Sequence, residues 1–186
     1  MKKIIVSNLV SADGFYEGTD KDLSAFKFDP RLYGVMIPAF DRSDTILMGR
    51  GTYEFFASYW PTKTKLDDPA ADFMNHYTKI VISKTLEKAP WGKWEEPILI
   101  KSNVEESVAK LKQQPGKDII IFGSGELLST LSRADLIDEY RFIVNPVILG
   151  DGRRMFEQIE LKHSLKLNSA TVLNHGLVVL DYERDK

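Results

Sequence analysis

The 186-residue sequence predicts an α/β fold of three layers: a mostly parallel central sheet, helices on both faces, and an antiparallel hairpin at the carboxyl end. Three observations predict it. Apolar runs suited to strands buried on both faces alternate with helical stretches through the first two-thirds of the chain. Two of those runs end in glycine corners that open helices, at Gly49-Arg50-Gly51 and Gly123-Ser124-Gly125. The last third carries Leu165 to Leu173 and Leu177 to Tyr182 around Asn174-His175-Gly176, which reads as a closing hairpin.

In chain order, Lys3 to Leu9 is the first strand, ended by the turn Ser11-Ala12-Asp13-Gly14. Residues Phe15 to Phe28 form a loop long enough to be functional. Asp29-Pro30 starts a helix, with the Asp as N-cap and the Pro at the first helical position. Leu32, Val35, Met36, Ala39 and Phe40 give that helix one apolar face, while Pro38 should kink or end it. Ile46 to Met48 is a strand leading into Gly49, and Asp68-Pro69 opens a helix through Tyr77. Lys79 to Ser83 is the next strand, Ala89 to Pro97 a loop with two tryptophans, and Ile98 to Ile100 a short strand. Asn103 with Glu106 forms a capping box ahead of Val104, Val108 and Leu111, and Pro115-Gly116 stops that helix. The Ile119 strand, the helix after Gly125, a strand from Asp138 to Val147 and the turn Leu149-Gly150-Asp151-Gly152 lead to the hairpin.

Composition narrows the function. A chain of this length reads as one domain, residues 1–186, able to bury about 70% of its unfolded surface. The formal charge of −2 gives no general attraction to nucleic acid or anionic membranes, so any anion site must be local. With no cysteine there are no disulfides, thiolate metal sites or cysteine nucleophile. The three histidines are scattered singly, so no metal is expected. No run is long enough to span a bilayer, and a cytoplasmic location is expected.

The two glycine corners carry the chemistry. Glycines let backbone N–H groups approach an anion, and each following helix start adds unpaired amides and partial positive charge. Two such corners on one domain suit an extended ligand with phosphates, a dinucleotide above all. In a parallel sheet ligands lie beyond the carboxyl ends of the strands, and the turns at Asp13, Gly49, Ser83 and Gly123 would all lie there. Phe15, Tyr16, Phe26 and Trp60 could form a planar wall for a small heterocycle.

The motifs Ser11-Ala12-Asp13-Gly14, Asp44 to Glu54, Lys79 to Leu86, Phe122 to Leu127 and Leu136 to Gly152 resemble, in this order, the dihydrofolate reductase superfold. More narrowly, they resemble the carboxy-terminal reductase domain of the bifunctional riboflavin-biosynthesis deaminase/reductase, here as a stand-alone member. The resemblance implies a dihydrofolate-reductase-like fold, NADPH as hydride donor and a homodimer. It implies that Gly49, Arg50, Gly51 and Thr52 meet the cofactor's phosphates, with Arg50 on the adenosine 2′-phosphate. It places Ser83 and Lys84 at the adenosine ribose, and Gly123, Ser124, Gly125 and Glu126 at the pyrophosphate and nicotinamide ribose. Glu126 suits a helix start but would repel a phosphate unless turned away. Asp13 matches the family's acid, with Asp22 as its rival for the proton donor. The resemblance does not fix the substrate, which is either the phosphoribosylamino-pyrimidine of riboflavin synthesis or a pterin. For the phosphate of the former, Lys21, Lys27 and Arg31 are candidates without a glycine-rich partner.

Plainer readings stand beside these. A lone Gly-x-Gly is usually a turn, and Asp before Gly is usually an Asx turn bonding its own backbone. The aromatics could be core, and Arg50 and Lys84 solvated charges. The alternatives to the riboflavin-type reductase are therefore a pterin or dihydrofolate reductase, a non-catalytic NADP-binding module, and a scaffold that binds no cofactor.

Overall fold

A computed structural model describes residues 1–156 and 162–185. Its strands are β1 (Ile4–Ser11), β2 (Phe15–Glu17), β3 (Ser43–Gly49), β4 (Thr78–Ile82), β5 (Ile98–Ile100), β6 (Asp118–Ile121), β7 (Glu139–Asn145), β8 (Arg153–Arg154), β9 (Leu165–Val172) and β10 (Val178–Arg184). Its helices are α1 (Leu32–Arg42), α2 (Arg50–Tyr59), α3 (Ala71–His76), α4 (Val104–Gln113) and α5 (Gly125–Arg133).

The main sheet has the order β5-β4-β3-β6-β1-β7-β10-β9. Every pairing from β5 to β7 is parallel, and β10 runs antiparallel to both β7 and β9. The expected class, a mostly parallel sheet closed by an antiparallel hairpin, is the observed one. Alternation along the central strands builds the layers. Leu47, Ile80, Ile119 and Ile121 pack with Val108 of α4 and Leu127, Leu128 and Leu131 of α5. Ile46, Met48, Val81 and Ile120 face the other way, against Phe40 of α1, Tyr53 of α2 and Met74 of α3.

Several local expectations change. The loop after β1 contains β2, which pairs with β8, so Phe15 and Glu17 are tied to Arg154 and Arg153. Asp29 caps the turn that leads into α1 and not the first residue of the helix, whose N-cap is Arg31. Asp29 is buried one turn earlier, where Oδ1 accepts the Arg31 amide (2.9 Å) and Oδ2 the distant Asn174 amide (2.7 Å). Pro38 neither ends nor shortens α1, which runs on to Arg42. Pro38 and Gly34, the residue whose carbonyl it leaves without a donor, both lie on the exposed side, where water can take that carbonyl. The capping box at Asn103 is absent: Asn103 is left-handed (φ 50°) with no side-chain cap, and Glu106 pairs with Lys110 instead.

Candidate functional site

The parallel register of β3 and β6, with Leu47 opposite Ile121, brings the ends of the two strands to one rim, and the two glycine corners face each other there. The contacts are close. The Gly49 amide donates to Ser124 Oγ at 2.7 Å, and Ser124 Oγ shares a hydrogen bond with Thr52 Oγ1 at 2.9 Å. A Cβ on Gly123 would stand 2.5 Å from Thr52 Oγ1, and one on Gly49 2.9 Å from Ser124 Oγ. Gly123 and Ser124 are both left-handed (φ 58° and 64°), a conformation that disfavours a side chain at either position. Asn8 on β1 holds this corner from the neighbouring strand. Its Oδ1 accepts the Gly123 amide (2.5 Å) and its Nδ2 donates to the Gly123 carbonyl (3.2 Å).

Helices α2 and α5 both start at this meeting point, and neither is capped by the side chain of its own N-cap residue, Gly49 or Ser124. Two such helix starts make a local positive end for an anion. Lys21 adds to it, its Nζ lying 3.7 Å from where a Gly51 Cβ would be. Arg50 donates to Glu54 (2.7 Å) and to Thr85 Oγ1 (2.9 Å), which joins α2 to the turn after β4. In that turn Ser83 Oγ accepts the amides of Thr85 (3.3 Å) and Leu86 (3.1 Å), and Lys84 is exposed. Arg50, Ser83 and Lys84 thus share the rim, at its outer side.

Inward of the corners lies a cavity of about 500 Å³. Gly51, Thr52, Gly123 and Ser124 line one end. Tyr16, Phe28, Tyr33, Phe55, Phe56, Tyr59 and Trp60 supply aromatic wall, and Glu17, Lys21, Asp68 and Arg153 its charged groups. The Arg153 guanidinium lies 5.6 Å over the Tyr16 ring and pairs with Glu17 at 3.0 Å. Burial pushes the Tyr16 phenol above its ordinary value, and its ring and hydroxyl lie against Gly125.

Other expected residues lie elsewhere. Asp13 is not in the cavity wall: its carboxylate accepts Ser11 Oγ (2.7 Å) and the amides of Leu149 (3.1 Å) and Gly150 (2.8 Å). The Ser11 hydroxyl, with those amides, holds Asp13 down at about 2, so it is ionised at neutral pH. Asp22 also lies outside the cavity, bonded to the Ser24 amide and hydroxyl (2.8 and 2.9 Å), and these hold it below the ordinary carboxylate range. Phe15 is buried under the Arg154 guanidinium (4.3 Å), and Phe26 sits in a local turn closed on Leu23. Neither lines the cavity. Glu126 turns outward, to a second depression that it shares with Arg133, Arg153 and Arg154.

Sequence reasoning missed Asn8, Tyr33, Tyr59, Asp68 and Arg153. Only Asn8 carried a signal, as a polar residue inside an apolar strand. Lys21 was expected to lack a glycine partner, yet it stands beside Gly51. Among the described residues no helix is long and apolar enough to cross a membrane, and no cluster of three metal-ligating side chains occurs.

Comparison with known proteins bears on the family and the fold. The RibD C-terminal domain family matches residues 2–179. The uncharacterized protein YyaP of Bacillus subtilis (strain 168) is 30% identical over 186 residues, 97% of this chain and 94% of its own length. Among solved structures, a protein of Shewanella sp. PV-4 provisionally ascribed to riboflavin biosynthesis superposes with a TM-score of 0.79 at 22% identity, covering 99% of each chain. Dihydrofolate reductase from Enterococcus faecalis, complexed with NADP(H), superposes with a TM-score of 0.66 at 14% identity, over 99% of this chain and 97% of that one. The diaminohydroxyphosphoribosylaminopyrimidine deaminase/5-amino-6-(5-phosphoribosylamino)uracil reductase of Thermotoga maritima does so at 0.69 and 14% identity, over 99% of this chain and 57% of that one. At such identities these three carry the fold alone. The family match spans nearly the whole chain, and the protein belongs to the RibD C-terminal domain family, on a dihydrofolate-reductase-like fold.

Proposed function

We propose that this protein is an NADPH-dependent reductase of a small flat heterocycle, resembling 5-amino-6-(5-phosphoribosylamino)uracil reductase. The observation that carries the reading is the pair of facing glycine corners, with Gly49 bonded to Ser124 and Gly123 clipped by Asn8, opening onto an aromatic cavity. The residues fit the cofactor. The starts of α2 and α5 suit a pyrophosphate, and Ser124 and Thr52 add hydroxyls beside them. Arg50 and Lys84, with the Ser83 turn between them, form a cationic outer rim for a 2′-phosphate, where an NAD site would carry an acid.

When bound, NADPH supplies a hydride to a C=N or carbonyl carbon of the substrate. The chain's part is to hold the two flat groups together and to exclude water around them. Tyr16 and Trp60 belong to the wall that does so. Asp13, ionised and committed to the turn at Gly150, keeps the β1 end in place. Neither Asp13 nor Asp22 faces the cavity, so neither is assigned the proton transfer. The same placement favours, as second reading, a module that binds NADP and reduces nothing.

Titration of NADPH and NADH into the protein, followed by tryptophan fluorescence, tests the cofactor. NADPH should bind more tightly, and Arg50→Ala or Lys84→Ala should remove the preference. Equal affinities, or no binding, would defeat the reading. Loss of nicotinamide absorbance with the pyrimidine riboside, dihydropterins or dihydrofolate would separate reductase from binding module.

A further inference from the structure

Among the described residues two carboxylates line the cavity, Glu17, which pairs with Arg153, and Asp68. Asp68 stands just before α3, and its Oδ1 is already used: it accepts the Tyr33 hydroxyl at 2.7 Å and the Ala70 amide at 2.9 Å. Those two bonds fix the orientation of the group on both sides, one from α1 and one from its own turn. Oδ2 accepts no hydrogen bond among the described residues, and Asp68 takes part in no ion pair there. The Tyr33 phenol is held above its ordinary value by burial, and by the hydrogen bond to Asp68.

The charge around the cavity is divided. Lys21 and Arg153 are the cations in its wall among the described residues. Lys21 lies by Gly51 and Arg153 by Tyr16 and Glu17, all on the side of the glycine corners. Among the described residues Asp68 is in no ion pair, Lys63 lying over the Tyr59 ring (4.7 Å) outside the wall, and a half-buried carboxylate with a free oxygen among aromatic rings needs hydrogen-bond donors from whatever fills the space.

We infer that Asp68 is the specificity-determining residue of this cavity: Oδ2 accepts an N–H of a flat, nitrogen-rich heterocycle whose ring lies between the aromatic walls near Tyr59 and Trp60. The ring enters with its N–H edge toward Asp68, and an anionic tail on the same molecule leaves toward Lys21 and Arg153. This deepens the reductase reading, from which it takes only that the cavity receives the substrate.

The test uses 2-aminoquinazoline as probe and quinazoline as its counterpart without the amino donor. Both are titrated into the wild-type protein and Asp68→Asn, with tryptophan fluorescence as readout and NADPH titrated in parallel. The asparagine can keep an acceptor for Tyr33 and Ala70 while losing the charge. Aminoquinazoline should bind wild type at least tenfold more tightly than quinazoline, and Asp68→Asn should remove that advantage while leaving quinazoline and NADPH unchanged. Wild-type protein that does not distinguish the two probes overturns the inference, even where the variant fails to fold. Equal preference in wild type and variant overturns it as well. NADPH binding with no role for Asp68 defeats this inference alone, and an Asp68-dependent preference without NADPH binding defeats the reductase reading alone.

Discussion

Gly123→Ala tests why the two corners are glycine-built. The residue sits at φ 58°, where a Cβ costs about 1–2 kcal/mol. That Cβ would also stand 2.5 Å from Thr52 Oγ1, and the overpacking adds about 1–3 kcal/mol. Together the loss is about 2–5 kcal/mol, which for a chain of this size lowers Tm by roughly 4–20 °C. The two parts can be separated. Thr52→Ala removes both the Oγ1 and the methyl that the new Cβ would meet, at a cost of about 1 kcal/mol for the lost bond to Ser124. In the double variant the steric part disappears and the backbone part stays, so urea unfolding should show a favourable coupling of about 1–3 kcal/mol. A Tm for Gly123→Ala within about 2 °C of the native value, or additive effects in the double variant, would refute the facing-corner geometry.

Asn8→Ala removes both hydrogen bonds to Gly123, and the orphaned groups should lower stability by about 1–3 kcal/mol in urea unfolding while weakening NADPH. Arg50→Ala should weaken NADPH about tenfold without changing NADH. This is the low end for a charge-assisted contact, because the guanidinium is half-exposed and already shared with Glu54; no change in the NADPH:NADH ratio would remove Arg50 from the site. Lys79 gives a pH signature: buried beside the carbonyls of Asn75 and Tyr77, it is pushed down to about 8. Its folded value lies below the unfolded one of about 10.4, so the unfolded chain binds more protons between those values and stability rises with pH there. Wild type should gain about 3 kcal/mol over Lys79→Met from pH 7 to 10.5, and parallel curves would show that Lys79 is not desolvated.

What could be read in advance was what neighbours in sequence decide. Ile46, Leu47 and Met48 alternate between two buried faces, and a glycine after such a run starts a helix by local rules alone. Gly49 and Gly123 were therefore legible, as was the hairpin around His175. The illegible parts depend on residues far apart. Asn8 reads as an interruption of β1 until Gly123, 115 positions away, is seen to fill both ends of its amide. Asp13 reads as an acid in a signature, but it is occupied by Gly150, 137 positions away. Strand β2 has no partner in its own neighbourhood and exists through Arg153 and Arg154. The aromatic wall is gathered from α1, α2 and the loop between β1 and α1, and no periodicity shows that these will share one cavity.

The same geometry explains why the site sits at β3 and β6 and not at another pair of strands. Their parallel pairing sets two helix starts side by side, so two partial positive charges are forced together. That juxtaposition is unfavourable unless an oxygen stands between them. Ser124 Oγ does so here, accepting from Gly49 and bonded to Thr52, and it is held there by a left-handed backbone that only a strongly fixed corner would tolerate. Asn8 does the fixing from β1. The corner is thus built to surround oxygen with N–H groups, and an anionic ligand that offers more oxygen finds the donors already in position. At the far end, Asp68 among rings has the opposite character. The two ends therefore call for different groups: an anionic one near Gly49 and Gly123, and a flat hydrogen-bond donor near Tyr33.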